Sequence, residues 1–143
     1  MTNAHPRLLL VLASLMVVIG FPVAGKWARR HAGPRCAFDG LTIVPIYGAR
    51  IVDPTGEAHR FCCVRCAGLW LARRGDRPAT VFVTNEAGGL EIDARSAVFV
   101  RSAVATRPIT GNHVHVVRER ADAEDHARAF GGWVLKDDER PFP

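Results

Sequence analysis

Leu8 to Gly25 (LLLVLASLMVVIGFPVAG) is a run of 18 residues without a charge. As a helix rising about 1.5 Å per residue it reaches about 27 Å, close to the apolar thickness of a bilayer. No polar face interrupts the run, so it does not read as a core helix. The 143-residue chain therefore divides in two: residues 1–30 read as a signal-anchor or transmembrane segment with a basic linker, and residues 31–143 as one folded domain. Two readings of the first part stand side by side. It is an uncleaved signal-anchor helix, or a secretory signal peptide cut after Gly25 with Val23 at the −3 position. Lys26, Arg29 and Arg30 follow that site directly and favour the anchor.

The net charge of +5 raises the question of nucleic acid, and its distribution answers it. Arg7, Lys26, Arg29 and Arg30 all precede the first acidic residue, Asp39. From residue 31 onward 15 Lys and Arg face 14 Asp and Glu. The excess belongs to the flanks of the apolar run. A nucleic-acid domain needs a basic stripe on its folded surface, and the sequence offers none.

Within the domain, His31-Ala32-Gly33-Pro34 reads as a linker and Leu41 to Tyr47 as a strand region that Pro45 places at an edge or breaks. Ala49 to Val52 and Ala58 to Phe61 form a hairpin across the turn residues Asp53-Pro54-Thr55-Gly56. Cys62 to Arg74 reads as a helix ended by Gly75-Asp76. Strands are expected at 80–84, 90–92, 97–101 and 113–117. Asp122 caps a helix over 123–130 that stops at Gly131-Gly132, and Trp133 to Leu135 close the chain as a strand. The order ββαβ then ββαβ predicts an α+β fold of two small units, an internal duplication in topology. Trp70, Phe82, Phe99, Phe130 and Trp133 read as core.

The four cysteines are Cys36, Cys62, Cys63 and Cys66. On a helix, Cys62 and Cys66 share a face at i, i+4. Cys63 and Cys66 form a CxxC. A helix N-terminus favours thiolate over thiol, and thiolates bind soft ions such as Cu(I), or Zn(II). A hairpin between Cys36 and Cys62 brings the first thiol back to the others. Adjacent side chains point apart, so Cys36, Cys62 and Cys66 are the preferred ligands, with Cys63 in reserve. Two structural disulfides and a dithiol redox pair are the competing readings.

Arg35 to Gly40 (RCAFDG), with Phe61 to Trp70 (FCCVRCAGLW), resembles the thiol pattern of TRASH and YHS metal-binding modules, in which an early Cys precedes FC-x3-C at a helix start. Glu91 to Val100 (EIDARSAVFV) and Ala123 to Leu135 (AEDHARAFGGWVL) resemble stretches of the NosL family, the copper-binding accessory proteins of nitrous-oxide reductase assembly. The resemblance covers about residues 35–137. It implies an extracytoplasmic Cu(I) carrier with a duplicated ββαβ fold. Two departures stand out. The family's Cys-Gly-Met is here Cys36-Ala37-Phe38, without the methionine, and the lipid-bearing cysteine is absent. The first makes Cys62, Cys63 and Cys66 replacement ligands, and the second suits an apolar anchor in place of the lipid. Positive charge behind the apolar run would by itself keep the domain in the cytoplasm. The resemblance points instead to the periplasmic face of a bacterial inner membrane.

His113 and His115 lie two apart on one strand and share a face. They read as outward polar residues with Val114 and Val116 inward, or as further ligands. His59 is a weaker candidate, and His126 reads as a solvated residue on a charged helix. Asp39, Asp53 and Asp93 are explained by turns and caps. No Ser/His/Asp arrangement, phosphate loop or HExxH is present, so no enzyme and no small-molecule substrate are expected. The favoured function is a membrane-tethered copper-binding accessory protein or metallochaperone that hands Cu(I) to a partner protein. The alternatives are a thiol–disulfide oxidoreductase using the CxxC and a structural Zn(II)-binding interaction domain.

Overall fold

The computed structural model describes residues 33–75 and 80–142. The apolar run at 8–25 lies outside them. Among the described residues no helix is long and apolar enough to cross a membrane.

The domain is α+β, with two antiparallel sheets and two helices. Its elements are β1 (Ala49–Val52), β2 (Ala58–Phe61), α1 (Val64–Arg74), β3 (Thr80–Thr84), β4 (Glu91–Asp93), β5 (Val98–Arg101), β6 (Val114–Val117), α2 (Arg120–Ala129) and β7 (Trp133–Val134). The first sheet has the order β2-β1-β3-β4 and the second β6-β5-β7. Each time two hairpin strands lead into a helix, and the strand after it pairs with the far side of the first. That third strand runs parallel to the second and needs a crossover to reach its place, which the helix supplies.

Strand periodicity explains the core. Ala49 and Ile51 alternate inward along β1 while Arg50 faces out, where it pairs with Glu91 at 2.5 Å and stacks over Phe82. Ile51, Phe61, Val64 and Val83 join Phe99, Val114 and Val116 of the second sheet in one buried apolar cluster. Val100, Val117 and Ala123 form a smaller cluster on the other face of the second sheet, beneath α2. That sheet is covered on both sides, so every residue of β6 is buried.

Several expectations are corrected. Leu41 to Tyr47 is not a strand: Thr42 makes an isolated bridge to Arg35, and Pro45–Tyr47 is a single 3-10 turn. Pro45 has no N–H for a ladder and a φ preset for a turn. α1 begins at Val64, with Cys63 extended as its N-cap, so Cys62 lies before the helix. α2 begins at Arg120, and Asp122 sits in its first turn without capping it. Phe130 and Trp133 are about half exposed. β7 is only two residues long and stands at a sheet edge, so it leaves its large side chains uncovered. Among the other aromatics expected in the core, Phe99 is buried, and Trp70 and Phe82 are half-buried.

Candidate metal centre

Backbone chemistry first brings the early cysteine to the others. The Gly40 N–H donates to the Cys36 carbonyl at 2.9 Å, and the Cys36 N–H to the Leu41 carbonyl at 2.8 Å. Gly40 permits this tight loop because its φ of +73° is open to a residue without Cβ. The Ala37 N–H then donates to the Arg60 carbonyl at 2.8 Å, stapling the loop to β2 one residue before Phe61-Cys62.

Ligand atoms of Cys36, Asp39, Cys62 and Cys66 consequently lie within 4.8 Å of one another. The Cys62 and Cys66 Sγ atoms are 3.6 Å apart. Both thiols point at one carboxylate oxygen, Asp39 Oδ2, from 3.5 Å and 3.1 Å. The other oxygen, Oδ1, accepts the Leu41 N–H at 3.0 Å, which fixes the carboxylate's orientation. All four cysteines are buried and free, and Asp39 alone among the four donors is exposed. Cys63 turns elsewhere: its sulfur is 3.6 Å from Thr110 Oγ1 and stands outside the convergent group. The spacing argument for Cys62 and Cys66 as helical i, i+4 neighbours does not apply. One is the extended end of a strand and the other lies in the first helical turn, and the chain's bend at Cys63 brings their sulfurs together.

The protonation pattern follows from the contacts. The neighbouring Cys66 thiol lowers the Cys63 pKa to about 6 although burial opposes ionisation, helped by the Cys66 N–H and Thr110. Cys66 is pushed far up, by Cys63 first, then by burial and Asp39. Burial, then the charge of Cys63, push Cys62 up. Burial works against the Asp39 carboxylate, yet the Leu41 amide and the surrounding thiols outweigh it and hold its pKa below the ordinary range. A metal entering this group displaces protons from Cys62 and Cys66, so its uptake depends on pH.

The donor set of three sulfurs and one carboxylate is chemically consistent with a soft or borderline ion. Three thiolates suit Cu(I), and Asp39 completes a four-donor set of the kind Zn(II) accepts. Sequence reasoning missed Asp39, which turn chemistry seemed to explain. The available signal was Cys36-x-x-Asp39, the same spacing as Cys63-x-x-Cys66.

The histidines are not part of this group. His115 is buried, with Nδ1 2.9 Å from Glu86 Oε2 and Nε2 3.0 Å from the Val104 carbonyl, so both ring nitrogens have protein partners. Its expected outward orientation is corrected: it lies on the face of β6 that α2 covers, 4.2 Å from the His126 ring. His113 Nδ1 is 3.2 Å from the Ser102 carbonyl. Asp53, Glu57 and His59 gather at the β1–β2 turn, but the two carboxylates address opposite nitrogens of the one ring, at 3.2 Å and 4.0 Å. One ligand atom from each lies within 4.8 Å of the others, a second and more exposed group without sulfur.

No protein-family model matches the chain, and no curated protein matches it in sequence. Among solved structures it is similar to the copper chaperone NosL from Shewanella denitrificans, with a TM-score of 0.66 and 20% identity over 76% of this chain and 90% of that one. The likeness is one of fold.

Proposed function

We propose that this chain is a copper-binding accessory protein or metallochaperone that holds Cu(I) through Cys36, Cys62 and Cys66 and passes it to a partner protein. The observation that carries the reading is the convergence of three buried thiols on one exposed carboxylate. Similarity in fold to a copper chaperone supports it. So does the chemistry of exchange. Sulfur ligands can be replaced one at a time, with the weaker oxygen donor giving way first. We read residues 1–30 as a membrane anchor that places the domain on the periplasmic face, and the two units as a duplication. The shared strand order supports the latter.

The test is a Cu(I) competition titration of the full chain, reduced and anaerobic in neutral detergent. About one Cu(I) per chain is expected, held by two or three thiolates. Cys62→Ser and Cys66→Ser should each weaken binding strongly, and Cys63→Ser much less. If Cys63→Ser abolishes binding while Cys62→Ser leaves it, the ligand assignment is wrong.

The low pKa of Cys63, about 6, favours one second reading, a dithiol redox pair with Cys66. Rapid Cys63–Cys66 disulfide formation without Cu(I) uptake would move the assignment there. Zn(II) is separated from Cu(I) by chelation: a structural zinc domain unfolds on losing its metal, whereas a carrier remains folded.

A further inference from the structure

Among the described residues, Arg50, Arg95, Arg120, Arg128 and Arg140 each pair with a carboxylate: Glu91, Asp93, Glu124, Asp125 and Asp137. Of the arginines for which the described residues supply no carboxylate, Arg35, Arg73 and Arg107 gather on one loop. The Arg35 guanidinium donates to the Gly40 carbonyl at 3.2 Å. That of Arg107 donates to the Thr42 carbonyl at 3.1 Å, and its Nε is buried without a hydrogen-bond partner. The Arg73 guanidinium lies 4.5 Å from the centre of the Phe38 ring. The loop they hold carries Asp39, the exposed donor of the metal group.

Exposed apolar residues adjoin this basic collar. Ile109, 74% exposed, precedes the Thr110 that touches Cys63, and Val44 and Ile46 follow Thr42. Arginines without carboxylates beside solvent-facing aliphatic side chains make a surface suited to a protein contact. Unneutralised charge around the mouth of a site also steers an oppositely charged partner to it.

We propose that the face around residues 35–46 and Ile109 is the docking surface for the metal-receiving protein, and that this partner presents a cluster of carboxylates beside its own metal ligands. The inference rests on the carrier reading above. A protein is favoured over an anionic lipid surface because a lipid headgroup has no soft ligand to take the ion. Arg35 and Arg73 contribute charge across the contact, and Asp39, the donor that faces the partner, is where the exchange begins.

The test uses no metal, so failure of the copper reading and failure of this one are distinguishable. The full chain, reduced and metal-free in neutral detergent, is titrated by fluorescence anisotropy with two labelled peptides. These are identical except that glutamates in one are glutamines in the other. The glutamate peptide should bind about tenfold more tightly at low salt, with the preference vanishing near about 0.5 M salt. The Arg35→Gln/Arg73→Gln pair should lose the preference, and Arg35→Lys/Arg73→Lys should keep most of it. Equal binding of the two peptides overturns the proposal. So does equal loss in the Gln and Lys variants, which would mark the arginines as loop supports. Binding to phosphatidylserine vesicles that is lost in the Gln pair, with no peptide preference, overturns it in favour of a membrane contact.

Discussion

The two ββαβ units share one connection pattern and use it for different chemistry. In the first, the strand-to-helix joint after β2 is Cys62-Cys63, and α1 opens with no acidic residue in its first turn. In the second, the joint after β6 is Arg118-Glu119, and α2 opens with Asp122 and is braced by Arg120–Glu124 and Arg128–Asp125 pairs. The same corner of the fold is a sulfur site in one unit and an ordinary charged helix start in the other. Cys62 and Cys63 are buried at their joint, whereas Arg118 and Glu119 are exposed at theirs. The difference shows that the connection pattern alone does not make a site, and that the residues placed there decide it.

The largest effects on stability should be equal in the two units and unequal in consequence. Phe61 and Phe99 are both buried in the shared cluster. Phe61→Ala and Phe99→Ala should each cost about 3–5 kcal/mol in denaturant unfolding. Phe61 abuts Cys62, so its loss should also weaken Cu(I) retention at temperatures where both variants remain folded. Equal retention in the two would break the division of labour.

Next comes the closing turn of the second unit. A Cβ on Gly132 would lie 1.9 Å from the Arg101 carbonyl, whereas one on Gly131, at φ +62°, meets open space. Gly132→Ala should cost at least about 1–3 kcal/mol, as overpacking does, and Gly131→Ala about 1 kcal/mol, the ordinary cost of a left-handed residue. Thermal unfolding that ranks them in the opposite order would show that backbone handedness, not the close approach to β5, governs the turn.

A smaller effect belongs to the seam between the units. Glu86, in the turn after β3, accepts the Val116 N–H at 3.0 Å and its own N–H donates to the Val116 carbonyl at 2.9 Å, while its second carboxylate oxygen holds His115. Burial works against the His115 charge, but Glu86 and the Val104 carbonyl outweigh it and raise its pKa. Burial, then the neighbouring His115, lower that of His126. The raised group contributes stability that is complete below the ordinary histidine value of about 6.5 and is lost as pH rises through its folded value. The lowered group contributes stability present above that value and lost as pH falls through its own. Metal-free stability should therefore decline on both sides of a mildly acidic optimum, and His115→Gln should remove the alkaline decline. A profile unchanged by that substitution would take His115 out of the seam.

Smallest of all, Arg120→Ala should change stability by about 0.5 kcal/mol or less, since the Arg120–Glu124 pair is largely solvent-exposed. A larger loss would mean that α2 depends on its surface pairs.

The first hairpin, the two helices and the succession of strands along the chain were legible in the sequence because they rest on local patterns: alternation in β1, Asp53-Pro54-Thr55-Gly56 at a turn, Gly75 closing α1 with φ +68°. Other features were not. The Cys36 loop folds through backbone bonds to the distant Arg60 carbonyl, so no local spacing announced that Asp39 faces Cys66. His115 alternates like a solvent-facing residue, and only α2 packing across β6 makes it buried. Phe130 and Trp133 have core composition, yet Phe130, at the end of α2 against the His126 ring, and Trp133, on a two-residue edge strand, stay about half exposed.

What the sequence determined by itself was most of the element order and the clustering of Cys62, Cys63 and Cys66 at one helix start, since these depend on neighbours a few residues apart. What only the tertiary structure decided was which donors meet: Cys36, Asp39, Cys62 and Cys66 converge, with Cys63 turned to Thr110 and His115 in the seam. The physical reason is that ligand convergence depends on separations of about 4 Å between atoms far apart in the chain. Those separations are set by loop closure and packing, which no periodicity records.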